Sequence, residues 1–183
     1  MTVLMARNNG DAGRKGDAGH AQPSSVDALT AASFDDFFSM QHDSIVRALS
    51  MALGDDHFGR DAAAEGFARA LQRWKKVSTF RNPQGWVYRV GLKWARSRRR
   101  KSRREVALGD SFDRGGVSPP EADTRVRPAL ARLSDDHRDV VVARYFLDWP
   151  EADIAEALDI RPGTVKSRLS RALAQLQNDL GSA

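Results

Sequence analysis

Five side chains on one short stretch, Thr164, Lys166, Ser167, Arg168 and Arg171, have the chemistry to read a nucleic-acid groove. Val165, Leu169 and Leu173 recur there at helical spacing and define a buried face, so those five must point outward. Arg and Lys reach guanine edges or phosphates, and Thr and Ser reach either. A helix start near Gly163 and Thr164 favours a phosphate, and Arg161 in the preceding turn adds charge. A second concentration lies at Lys93–Arg104, where eight of twelve residues are basic and none is acidic. Such an arm, with Lys93, Arg96, Arg99 and Arg100 among its charges, neutralises phosphates and gives salt-sensitive, sequence-blind affinity. A solvated charge run and a membrane-surface helix are the alternatives. Mutual repulsion of eight cations and the lack of an apolar face beyond Trp94 favour a polyanion.

Other chemistries find no residues to carry them. The chain has no cysteine, so disulfides, thiolate metal sites and thiol nucleophiles are excluded. His20, His42, His57 and His137 are dispersed without metal-ligand spacing, and Asp35, Asp36, Asp135 and Asp136 read as helix N-terminal charges. No phosphate loop and no nucleophile constellation is present, which predicts a binding protein with no catalytic residues, metal or cofactor. There are 29 Lys and Arg against 24 Asp and Glu, a net charge of +5, unevenly spread. No apolar run approaches the ~20 residues of a membrane span, and no secretory signal pattern opens the chain. The expectation is a cytoplasmic protein with no membrane insertion.

The elements that must position these residues are helical throughout. Residues 1–32 are rich in Gly, Ala, Asp and Ser and are expected to form a disordered tail. In 33–104, Ser33 is a candidate cap for a helix carrying Phe34, Phe37, Phe38, Ile45, Leu49 and Leu53, with Gly54 as its left-handed stop. Asp55 or Asp56 caps a second helix, with Ala63, Phe67, Ala70, Leu71 and Trp74 at helical spacing. Asn82 and Pro83 open a third, with Trp86, Val90 and Trp94 as its expected buried stripe. Residues 105–125, rich in Gly, Asp, Ser and Pro, read as a flexible linker. In 126–183 four helices follow, the last two from Pro150 and Pro162, joined by the turn Asp159-Ile160-Arg161. A tight turn, the small Ala155 and the basic face together favour a helix-turn-helix over a plain helical hairpin. The fold class is therefore all-α: two small helical domains joined by a flexible linker, the C-terminal one a helix-turn-helix.

The stretches Ala129–Leu133, Val140–Phe146, Ala152–Leu158 and Gly163–Ala172, with the run Gly-Thr-Val-Lys-Ser-Arg, resemble the C-terminal promoter-binding domain of extracytoplasmic-function sigma factors. Asp61 to Ala70 resembles that family's polymerase-binding helix, and Asn82 to Val90 resembles the start of its downstream-element helix. The chain departs from the family at Ala64, where Gln is usual, at Lys93, where Asn is frequent, and at Ser97, where an acid is frequent. Asp159 stands where Gly is common, and Asp tolerates the left-handed conformation that the turn needs.

The resemblance implies a transcription initiation subunit. Its partners would be core RNA polymerase, promoter DNA and, as is common in the family, an anti-sigma factor. Asp61, Glu65, Phe67 and Arg69 would bind core. Ser78, Thr79, Phe80 and Arg81, in the connector before the third helix, would receive a base flipped from the downstream (minus ten) element; from the residues alone a simple turn serves equally well. The arm would track the opened strand, and the last helix would read the upstream (minus thirty-five) element. A free-standing helix-turn-helix regulator, dimeric on a palindrome, is the rival reading. A nucleic-acid-modifying enzyme is disfavoured by the missing catalytic clusters.

Overall fold

Local chemistry sets most helix ends. The computed structural model describes residues 25–107 and 125–181, which form eight α-helices and, among the described residues, no strand. Helix α1 (Ser25–Leu53) ends at Gly54, whose φ of 67° suits a residue without a Cβ. Asp55 then caps α2 (Asp56–Gln72), its carboxylate accepting from the Phe58 N–H at 2.8 Å. A single turn, α3 (Trp74–Val77), leads to Asn82, whose Oδ1 accepts from the Gly85 N–H at 2.7 Å and caps α4 (Pro83–Ala107). In the second half, α5 (Val126–Arg132) precedes α6 (Asp135–Tyr145), which is capped by Ser134. Helix α7 (Glu151–Leu158) ends on Asp159 at φ 60°, the left-handed turn expected there, and α8 (Pro162–Gly181) completes the helix-turn-helix.

Three expectations change. Helix α1 starts at Ser25, eight residues before Ser33, because Ala28, Leu29, Ala31 and Ala32 are strong helix formers with no breaker among them. Helix α4 continues to Ala107, taking in the first residues assigned to the linker. The stripe of α4 is Val87, Tyr88, Leu92 and Ala95, all 2% exposed or less, while Trp86, Val90 and Trp94 are half-buried. The expected tail over 1–24 and linker over 108–124 lie outside the described residues.

Small residues let the first half pack tightly. Gly59, Ala62, Ala63, Gly66 and Ala70 are all buried on α2, which faces both α1 and α4. A Cβ on Gly59 would lie 2.5 Å from the Ser50 backbone, and one on Gly66 would lie 2.7 Å from the Val87 carbonyl. Only a glycine permits helix backbones to approach so closely. An aromatic cluster of Phe34, Phe37, Phe67 and Trp74 closes the far end of α1 and α2.

The two halves pack against each other, with α4 touching α7 and α1 touching α5 and α6. Trp149, which leads into α7, is buried with its ring edge-on to Tyr88 of α4 at 5.7 Å. Arg138 of α6 is also buried and donates to the Leu130, Ala131 and Leu133 carbonyls at the end of α5. It reaches across to the Ala52 carbonyl at the end of α1 as well, at 3.1 Å. Two spent helix C-termini, each rich in unpaired carbonyls, are thus served by one guanidinium.

Candidate nucleic-acid interface

Helix α8 is held on α6 and α7 through Val165, Leu169 and Ala172 and touches α5 further along, where Gln175 donates to the Arg132 carbonyl, while the polar face at its start is open. Arg161, Gly163, Lys166, Ser167 and Arg171 are exposed, and Thr164 is half-buried. The Ser167 hydroxyl donates back to the Thr164 carbonyl, so its oxygen lone pairs stay available to a donor. Arg168 differs from its neighbours. Its side chain is 23% exposed and its guanidinium donates to Asp136 of α6 at 2.5 Å. The five exposed positions lie at the start of a helix that follows a tight turn, the geometry of a groove-reading element.

The second basic surface is divided. Lys93 and Arg100 on α4 are exposed, as are Arg98, Arg103 and Arg104, with Arg98 resting over the Trp94 ring at 5.4 Å. Arg99 turns inward instead, donating to the Leu53 carbonyl at 2.6 Å and covering the Phe58 ring at 4.9 Å. Arg96 donates to Asp139 of α6 at 2.5 Å. In the connector, Ser78 and Thr79 are exposed and Phe80 is half-buried against the core. Arg81 donates through Nε and Nη2 to Glu156 of α7, at 2.8 and 2.6 Å, and lies 2.9 Å from Asp153. That pairing raises its already high pKa, so Arg81 is a permanent cation.

On α2, Asp61 is exposed, and Glu65 and Arg69 pair at 2.7 Å one turn apart. Phe67 does not join them at the surface. It is 3% exposed, wedged among Phe37, Phe38 and His42. Phe38 and Met40 on α1 and Leu71 on α2 are apolar groups left exposed, at 37%, 76% and 52%. Sequence periodicity assigned Phe38 and Leu71 to the core. The signal that could have corrected it is crowding: α1 and α2 carry more large apolar residues than one interface between them can cover.

The acidic partners Asp139, Asp153 and Glu156 were also missed, since nothing local marks a carboxylate whose cation lies up to 75 residues away. Asp139 is the most constrained. Burial pushes its pKa up to about 6, although the Arg96 charge and hydrogen bond pull it down. For Arg96 burial works against the charge, and Asp139, helped by Asp135 and Tyr88, more than offsets it. Burial likewise drives the Tyr88 phenol well above its ordinary range, with Asp139 adding to the effect. The Tyr88 hydroxyl and Asp139 Oδ1 are both without a hydrogen-bond partner.

Residues 124–176 match the family described as sigma-70, region 4. The chain is 33% identical over 134 residues to the ECF RNA polymerase sigma factor SigL of Mycobacterium tuberculosis, covering 68% of this chain and 75% of that protein. It is 26% identical over 165 residues to the ECF RNA polymerase sigma factor SigW of Bacillus subtilis, covering 80% and 88%. Its fold matches that of the sigma factor RpoE, solved with the anti-sigma factor NepR from Bartonella quintana, at a TM-score of 0.68 and 23% identity over 81% of this chain and 97% of that one. CnrH, solved with the cytosolic domain of CnrY, matches at a TM-score of 0.59 and 22% identity, over 86% and 96%. With its helix-turn-helix in the region 4 match and both halves spanned by these relatives, the chain belongs to the extracytoplasmic-function RNA polymerase sigma factors.

Proposed function

We propose that this sigma factor binds core RNA polymerase through residues 33–104 and reads a promoter at two places. Asp61, Glu65 and Arg69 are the polar contacts to core, with Phe38, Met40 and Leu71 as apolar contacts and Phe67 holding the surface from behind. Ser78, Thr79, Phe80 and Arg81 receive the downstream element, and Lys93, Arg96, Arg99 and Arg100 follow the opened strand. Residues 126–183 set the upstream register through Arg161, Gly163, Thr164, Lys166, Ser167, Arg168 and Arg171. Bond-making chemistry belongs to the polymerase, and the protein works in the cytoplasm, where that enzyme is. An anti-sigma factor is the natural antagonist, in keeping with the sigma factor RpoE, solved with the anti-sigma factor NepR.

The observation that carries this reading is the pair of basic surfaces on one chain. One is the start of α8, fit for duplex, and the other is α4 with its connector, fit for a single strand. The test is size-exclusion chromatography of the full chain with sigma-free bacterial core, followed by selection of promoter fragments by the reconstituted holoenzyme. Co-elution and enrichment of a two-element promoter are expected. A chain that ran apart from core would overturn the proposal.

A further inference from the structure

The seam between the halves is lined by charges of opposite sign. Along α4 and the connector stand Arg81, Arg89 and Arg96, facing Asp135, Asp139, Asp153, Glu156 and Asp159 of the second half; between α2 and α5 the signs reverse, with Asp56 2.7 Å from Arg127. Arg81 pairs with Asp153 and Glu156, Arg89 lies 3.7 Å from Asp159, and Arg96 pairs with Asp139 and lies 4.0 Å from Asp135. Shape accompanies charge. An added Cβ on Gly85 of α4 would come 2.9 Å from the Cβ of Ala157 on α7, and Tyr88 packs on Trp149. The carboxylates of α6 and α7 therefore present to α4 and the connector what a run of phosphates would present.

We propose that the closed arrangement is autoinhibitory: the acidic face of α6 and α7 competes with nucleic acid for Arg81 and Arg96. This rests on the reading of those two arginines as promoter contacts. A chain in this state cannot offer Arg81 to a flipped base or Arg96 to a phosphate until the halves part. The competitor belongs to the promoter-reading domain itself, so opening frees the downstream surface and releases the helix-turn-helix to move to its own element in one step. A ligand that binds only the open form must supply the free energy of opening, and its apparent affinity falls by the fraction of chain that is open.

The chain has no cysteine, so dyes on Arg47→Cys and Gln177→Cys, exposed positions in the two halves, report closure by energy transfer in the full chain. A mixed-sequence single-stranded oligonucleotide at low salt is the probe. Asp153→Asn with Glu156→Gln removes the charges that hold Arg81, while Ala157→Leu wedges the α4–α7 contact without changing charge. Both are expected to lower energy transfer and to tighten oligonucleotide binding about tenfold, the gain for a chain about one-tenth open. Asp35→Asn with Asp36→Asn, exposed on α1, removes the same charge away from the seam and is expected to leave energy transfer unchanged and to tighten binding far less. Low energy transfer in the unaltered chain, or opened variants that bind no better than this control, overturns the proposal. Adding Arg81→Ala and Arg96→Ala to the opened chain tests the reading beneath it. Loss of the gain supports both statements, whereas tight binding without these arginines overturns their assignment as promoter contacts and the competition with it. Opened chains that show no gain but still weaken on losing the arginines would sink only the autoinhibition.

Discussion

Asp139 on α6 meets Arg96 on α4 at 2.5 Å, with the carboxylate side chain 5% exposed and the guanidinium side chain 30% exposed. The pair is unequal. Arg96 keeps a route to water and a second acid, Asp135, at 4.0 Å, whereas Asp139 has given up its hydration and leaves Oδ1 unpartnered. An ion pair placed like this supplies register between two helices, but its net contribution to stability is small because desolvation opposes the attraction.

The pH dependence follows with a definite sign. Asp139 faces Arg96 and Tyr88 from α4 and Asp135 and Asp136 from its own helix, and its pKa stands at about 6 against an ordinary 3.8. A carboxyl raised in the closed state takes up a proton on closing, so closure is favoured below about pH 6 and that contribution is lost as pH rises through 6. The difference of about two pK units sets an upper value of ~3 kcal/mol. Energy transfer between the halves is expected to rise as the buffer goes from about pH 7.5 to about pH 5. Asp139→Asn should flatten that response and leave the chain closed at neutral pH. A fall in transfer over the same range, absent from the Asn variant, would show the ion pair outweighing burial.

Arg138 carries more of the fold than any surface cation. Its guanidinium satisfies carbonyls of Leu130, Ala131, Leu133 and Ala52 while 9% exposed, so its loss strands several buried acceptors. Arg138→Met is expected to cost about 3–5 kcal/mol in urea unfolding. Arg138→Lys should recover less than half of that, because an ammonium cannot span acceptors on two helix ends. A full rescue by Lys would mean that charge alone, not the planar fork, matters here.

Gly59 sets the approach of α2 to α1. A Cβ there would fall 2.5 Å from Ser50 N and Cα, atoms of a helix backbone that cannot rotate aside. Gly59→Ala is therefore expected to destabilise by at least ~3 kcal/mol, although Ala is the better helix former by about 1 kcal/mol. The chain's urea midpoint measures it. Gly163→Ala, where a Cβ meets nothing within 4 Å, is the neutral comparison for stability.

Much of this was legible in the sequence where a local rule governs it. Asp55, Asn82 and Ser134 cap the helices they were expected to cap, Gly54 and Asp159 take the left-handed turns, and Val165 and Leu169 lie under an exposed basic face. The rule of one buried stripe per helix failed on α4. That helix packs on α2 at one side and on α7 at another, so Val87, Tyr88, Leu92 and Ala95 are buried while the three residues spaced by four, Trp86, Val90 and Trp94, sit at the edges. The seam was illegible for a different reason. Its charges carry no local pattern, and Arg81 and Glu156, 75 residues apart, acquire each other only through the relation between two domains.

The upstream contacts are expected to differ in weight. Lys166 and Arg171 project from α8 into open space, whereas Arg168 is held by Asp136 and would have to leave that carboxylate to reach DNA. A cation that must break one charge-assisted hydrogen bond to form another gains little by the exchange. Arg171→Ala is therefore expected to weaken holoenzyme binding to a duplex upstream element by about 1–3 kcal/mol, and Lys166→Ala to lower the salt slope by about one. Arg168→Ala should cost under ~1 kcal/mol in the same titration. Asp136→Asn, which frees Arg168, should tighten upstream binding and make it more salt-dependent. If Arg168→Ala proves the most damaging of the three, Asp136 is a positioning residue that aims Arg168 at the groove. The double variant Arg168→Ala with Asp136→Asn would then bind no more weakly than Arg168→Ala alone.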